Sequence, residues 1–205
     1  MQRSYDVGDV NRAGVLAREV VAPGIFVALI LASNFALAGI PNVKFFDLVV
    51  LVAGYTLGFR RGATVAVVAW AVYDTANPWG PAGLALLATK MGGELIYALA
   101  GATLRRFVQP ERIMLGLSGL TIALAVTGIV TTLAYDILTN LYTGWFWAGI
   151  ASSSDYVHWI GVALFGPGAL LFMVMHVGSN LVLFPTFGPL LIKGADRAKL
   201  ALGWE

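Results

Sequence analysis

The chain has no cysteine, two histidines and only 11 carboxylates among its 205 residues. Disulfide frameworks, thiol nucleophiles and iron–sulfur clusters are therefore excluded, and a catalytic metal would have to rest mainly on carboxylates. The lack of cysteine says nothing about compartment, because a membrane fold needs no staples. Charge is scarce as well, at 12% of residues against about 25% in a typical soluble domain. The net charge of +2 is too small to suggest a nucleic-acid partner. Three chemical signatures are also missing. No GxxxxGK[ST] is present to bind ATP, no HExxH to bind zinc, and no GxSxG to present a nucleophilic serine.

What fills the chain instead is apolar. Hydrophobic residues make up 59%, mean hydropathy is +0.80, and apolar runs recur along the whole length, leaving no room for a separate soluble domain. A helix needs roughly 20 apolar residues to cross a hydrocarbon layer of about 30 Å. Cutting at charges and at Pro/Gly clusters yields six segments, 20–40, 45–59, 62–73, 82–104, 113–139 and 168–192. The expected fold is thus all-α, a polytopic membrane protein with a six-helix transmembrane bundle over 20–192. A cytoplasmic segment 1–19 precedes it and a cytoplasmic tail 193–205 follows. Segments 45–59 and 62–73 are short and are split by Arg60, Arg61 and Gly62, which predicts a tight helical hairpin.

Basic residues accumulate in cytoplasmic loops. With six crossings one side collects Arg3, Arg12, Arg18, Arg60, Arg61, Arg105, Arg106, Arg112, Lys193, Arg197 and Lys199, eleven of the thirteen basic residues. Lys44 falls on the other side and Lys90 inside the fourth segment. The expectation is an N-in, C-in multi-pass protein of the plasma membrane. Ala36-Leu37-Ala38 has the form of a signal cleavage site, but the apolar run before it is too long and acids precede it. The outer connections carry Pro41-Asn42, Asn77-Pro78-Trp79-Gly80-Pro81 and a loop over 141–167. That loop holds Tyr142, Trp145, Phe146, Trp147, Tyr156 and Trp159, which form either an interfacial aromatic belt or a lid.

Ionisable groups inside spans are costly toward lipid and so face a bundle interior or a wet cavity. Lys90 and Glu94 stand four residues apart on one helical face and can pair, either as a structural ion pair or as a substrate-binding pair. Asp136, Thr139 and Asn140 sit near the outer end of the fifth segment, where they serve as caps or line a cavity. In the sixth, His176 and Asn180 share a face beside Ser179, either as interhelical hydrogen bonders or as ligand contacts. Asp74 is expected to anchor the Asn77 turn. Gly24, Ala28, Ala32 and Ala36 recur every four residues, a small-residue stripe that fits close approach of another helix, within the bundle or from a partner.

In order along the chain, several fragments resemble the substrate-binding S components of energy-coupling factor vitamin transporters. They are Pro41-Asn42-Val43, Gly54-Tyr55-Thr56-Leu57-Gly58 with Gly62-Ala63, the Asn77–Pro81 turn, Tyr135-Asp136-Ile137-Leu138-Thr139-Asn140, His176-Val177-Gly178-Ser179-Asn180, Phe184, and Gly188-Pro189-Leu190-Leu191. The resemblance implies a six-helix fold that binds a vitamin or precursor from outside, beneath outer loops, without a cofactor or metal and without enzymatic activity of its own. It further implies a transmembrane coupling subunit and two cytoplasmic ATPase subunits as partners, with Ala28, Ala32 and Ala36 against the coupling subunit. The substrate-binding residues expected are Lys90, Glu94, Asp136, Asn140, Trp145, His176 and Asn180. The long 141–167 segment departs from the family pattern, and substrate identity does not carry over. A non-transporting scaffold, like the similar membrane subunit of cell-shape complexes, is the competing expectation, and an intramembrane enzyme the third.

Overall fold

Pro23 sits early in the first apolar run and cannot donate a ladder hydrogen bond, and the turn before it, Ala17–Val21, takes a π register. A computed structural model describes residues 14–78, 80–109, 116 and 118–202, and among these it is all-helical with no strand. Seven helices follow one another: α1 (Gly14–Ala36), α2 (Phe46–Leu57), α3 (Phe59–Ala76), α4 (Leu84–Phe107), α5 (Gly119–Ile150), α6 (Tyr156–Phe165) and α7 (Pro167–Ala201). Four of them, α1, α4, α5 and α7, are long and apolar enough to cross a membrane. Their outward faces carry Leu29, Leu99, Val126, Val130, Leu171, Val174 and Val182, all exposed, while the polar side chains collect inside. That inside-out distribution is compatible with lipid as the solvent.

The shortest of the first five helices organises the rest. All twelve residues of α2 are buried, and it packs against α4, α3, α7 and α1. Such a helix must be apolar on every face, as its sequence FDLVVLVAGYTL nearly is. Its contact with α4 is the most extensive in the molecule and depends on small residues. A Cβ on Gly54 would lie 2.2 Å from the carbonyl oxygen of Ala98, and one on Gly101 would lie 1.9 Å from that of Leu51. The chain then reverses in a single residue, Gly58, whose φ of 87° is open mainly to glycine. The expected hairpin is present, with altered bounds. Arg60 and Arg61 belong to the first turn of α3, because Gly58 alone supplies the reversal.

Side-chain contacts define two ends. At one, Arg61 pairs with Glu19, Arg105 bonds Asp196 at 3.4 Å, and the Tyr55 hydroxyl donates to Val108 O at 2.7 Å. At the other, Asn42 donates to Phe172 O at 3.0 Å, tying the α1–α2 connection to the start of α7.

The 141–167 segment is not a loop. α5 continues unbroken to Ile150, a five-residue turn follows, and α6 occupies most of the remainder, capped by Asp155 accepting from the His158 amide at 3.0 Å. No proline interrupts residues 119–150, so the helix has no reason to stop at Asn140. α5 starts at Gly119 behind a Ser118–Thr121 capping box, and the expected start near 113, like Arg3, Arg12, Arg112 and Trp79, lies outside the described residues. The tail expected from 193 continues α7 to Ala201.

Candidate functional site

Two polar assemblies lie beside the N-terminal end of α2, and the first begins with an acid in the opening turn of that helix. Asp47 lies in the first turn of α2, where the positive end of the helix dipole favours an anion. Its Oδ2 faces His176 Nε2 at 2.6 Å and accepts from Asn180 Nδ2 at 2.7 Å, both from α7. His176 Nδ1 lies 2.7 Å from Asp136 Oδ1 on α5. The imidazole therefore bridges two carboxylates on different helices. A neutral ring has one N–H, so two such bonds need two protons shared among the three groups. Asn180 also donates to Thr132 Oγ1 at 2.8 Å, and Tyr97 on α4 donates to the same oxygen at 3.1 Å. One continuous network thus joins α2, α4, α5 and α7.

The second assembly surrounds Trp70 of α3. Its indole N–H donates to Glu94 Oε2 at 3.1 Å, and Phe46 stacks on it with centroids 4.7 Å apart. The Lys44 and Lys90 ammonium groups lie 5.1 and 5.0 Å from the indole centroid, within cation–π range. Lys90 pairs with Asp74 Oδ1 at 2.9 Å, not with Glu94. The i, i+4 spacing permitted the Lys90–Glu94 pair, but Glu94 is turned behind Trp70 and fully buried, whereas Lys90 reaches toward the end of α3. Asp74 anchors its turn as expected. Its Oδ2 accepts from the Ala82 amide at 2.9 Å, and Asn77 donates to Asp74 O at 2.8 Å.

Between these assemblies, at the Asn77 end, lies a cavity of about 800 Å³, within the usual range for small-molecule sites. Its walls include Asn34 from α1, Lys44 from the approach to α2, Trp70, Tyr73 and Asp74 from α3, Lys90 from α4, and Tyr135, Asp136, Thr139, Asn140 and Trp147 from α5. Ala163 of α6 and Phe172 of α7 complete the rim.

Of the expected site residues, Lys90, Asp136 and Asn140 line this cavity. His176 and Asn180 are buried beneath it and act through Asp136 and Asp47, and Glu94 sits behind Trp70. Trp145 is 58% exposed on the outer face of α5, and the cavity is met by Trp147 instead. Two residues further along an α-helix is a rotation of about 200°, so continuing α5 past Asn140 reassigns the whole aromatic cluster. Ala28, Ala32 and Ala36 are exposed on α1, as is Gly24, so the stripe packs against nothing among the described residues. Sequence reasoning missed Asn34, Asp47 and Trp70 as site residues. Asp47 carried a signal, since it is an acid inside an otherwise apolar segment.

Compared with protein-family models, curated proteins and solved structures, the chain matches none.

Proposed function

We propose that this chain is the substrate-capture subunit of an ATP-driven uptake system of the energy-coupling factor type. In this reading it crosses the plasma membrane six times, with α2 and α3 completing the count, and both termini face the cytoplasm. The cavity carries the proposal: about 800 Å³, walled by aromatic rings, ringed by Lys44, Lys90, Asp136 and Asn140, and set at the end away from the Arg61 and Arg105 ion pairs. A vitamin or related precursor enters there from outside, under the α5 extension and α6, which serve as the lid. ATP hydrolysis belongs to two cytoplasmic ATPase subunits, reached through a transmembrane coupling subunit docked on Ala28, Ala32 and Ala36, whose exposure supports a partner surface.

Purified protein is expected to gain thermal stability with one member of a panel of water-soluble vitamins and precursors, since a ligand of the native state stabilises it by mass action. Absence of any shift, together with failure to co-purify with a coupling subunit, would sink the reading. Orientation has its own test, helped by the lack of native cysteine. In intact cells an impermeant maleimide should label Ser154→Cys but reach Arg197→Cys only after permeabilisation; both positions are exposed.

A non-transporting scaffold is the second reading, favoured by the polar contacts that tie the helices to one another, in which His176 bridges Asp47 and Asp136 and Asn180 joins Asp47 to Thr132. It predicts that Lys90→Ala and Asp136→Ala alter assembly while no small molecule binds.

A further inference from the structure

Around the cavity the two basic side chains are held differently, Lys90 by a hydrogen-bonded ion pair and Lys44 by a longer ion pair with Asp47 and by aromatic faces. Lys90 is hydrogen-bonded to Asp74 at 2.9 Å, and Asp136 to His176 at 2.7 Å. Lys44 differs. Its side chain is only 13% exposed, and the nearest acidic oxygen, Asp47 Oδ1, is 3.7 Å away, beyond hydrogen-bond reach. An ammonium has three donors, and those of Lys44 face the rings of Trp70 and Tyr135, each with its centroid 5.1 Å distant. Asp47 does not close the gap because its other oxygen is held by His176 and Asn180. A second unmet group lines the same cavity. Asn34 is 2% exposed, and neither its amide nitrogen nor its amide oxygen has a hydrogen-bond partner.

A buried amide without partners is rare enough to ask for an occupant. A cation fixed between aromatic faces, largely stripped of water, is already arranged to receive an anion. Building on the capture reading above, we propose that the ligand carries an anionic oxygen group, a carboxylate or a phosphate, which Lys44 binds, and a neutral polar group that meets the Asn34 amide. The anion completes the hydrogen bonding of Lys44, and the low-dielectric surroundings make that charge-assisted bond stronger than its counterpart in water.

The test uses the full chain in lipid nanodiscs and pairs of probes that differ in the anionic group. Nicotinate with nicotinamide, biotin with its methyl ester, and pantothenate with panthenol probe the carboxylate. Pyridoxal phosphate with pyridoxal probes the phosphate. In at least one pair the anionic member should raise the unfolding temperature and bind about tenfold or more tightly than its neutral partner, the size of one charge-assisted hydrogen bond. The pair that responds tells carboxylate from phosphate. Lys44→Gln should abolish the preference and Lys44→Arg should keep it. The comparison on the parent protein stands even if Lys44→Gln does not fold. Neutral members that bind as well as the anionic ones overturn this inference and leave the capture reading intact; if no probe of either kind binds, both fall.

Discussion

Replacing Gly101 by alanine adds one methyl group at the closest helix contact in the protein. Its carbon would lie 1.9 Å from Leu51 O and 2.8 Å from Tyr55 N, both backbone atoms of the buried α2, whereas ordinary contact begins near 3.4 Å. No side chain can swing aside there, so α2 and α4 must part by about 1.5 Å along that contact, the difference between 3.4 and 1.9 Å. A gap of half that size already forfeits roughly a quarter to a half of the attraction of each atom pair it opens. Overpacking of this kind costs about 1–3 kcal/mol and more where backbone is involved. Alanine also returns up to about 1 kcal/mol of helix propensity. With backbone on both sides of the contact the upper end of that range applies, so the net loss is about 2 kcal/mol. At roughly 2–4 °C per kcal/mol for a chain of this size, the unfolding temperature should fall by about 4–8 °C. Gly24→Ala is the internal control, because no atom lies within 4 Å of its added carbon and it makes the same propensity gain. Thermal unfolding of the detergent-solubilised variants, followed by tryptophan fluorescence, measures both. If Gly101→Ala melts no lower than Gly24→Ala, the packing argument for α2 is refuted.

Other substitutions probe the two polar assemblies. His176→Ala leaves Asp47 and Asp136 buried without their shared partner, and breaking a buried pair of this kind costs about 3–5 kcal/mol; an unchanged denaturation midpoint would show that the bridge contributes nothing. A double-mutant cycle of Lys90→Met with Asp74→Asn should return a coupling of about 1 kcal/mol, while the cycle with Glu94→Gln returns a value near zero, since only the first pair is in contact. Trp70→Ala should destabilise by about 3–5 kcal/mol because the indole is 5% exposed, and Trp145→Ala, at 58% exposed, should leave the melting temperature unchanged.

The places where sequence and structure part company have physical causes. Lys90 and Glu94 satisfy a local rule of helical spacing, yet local spacing only makes a pair available, and Asp74, sixteen residues earlier, takes the lysine instead. The sequence predicts a loop over the aromatic segment after Asn140, because the span before it is already long enough for a bilayer. Helix propagation does not stop at the membrane boundary without a breaker, and none occurs before Ile150. The short apolar segment 45–59 is marginal in length for a crossing, and α2 lies at the centre of the packing with all twelve of its residues buried among longer neighbours. His176 with Asn180 and Asp136 with Asn140 were legible as interior polar groups because an ionisable or amide group amid apolar helix is conspicuous in any sequence.

Composition and hydropathy, which are additive along the chain, determined that the protein is all-helical, that its long helices are apolar enough to span a membrane, and that charge is confined to few positions. The clustering of Arg60, Arg61, Arg105 and Arg106 at segment ends is likewise a property of the one-dimensional chain. The partnerships were decided only by tertiary structure. His176 meets Asp136 across 40 residues and Asp47 across 129, and no periodicity encodes which of several buried acids a histidine will reach. The same holds for the cavity, because its walls come from six helices and the shape they enclose depends on contacts as local as a missing methyl group at Gly101.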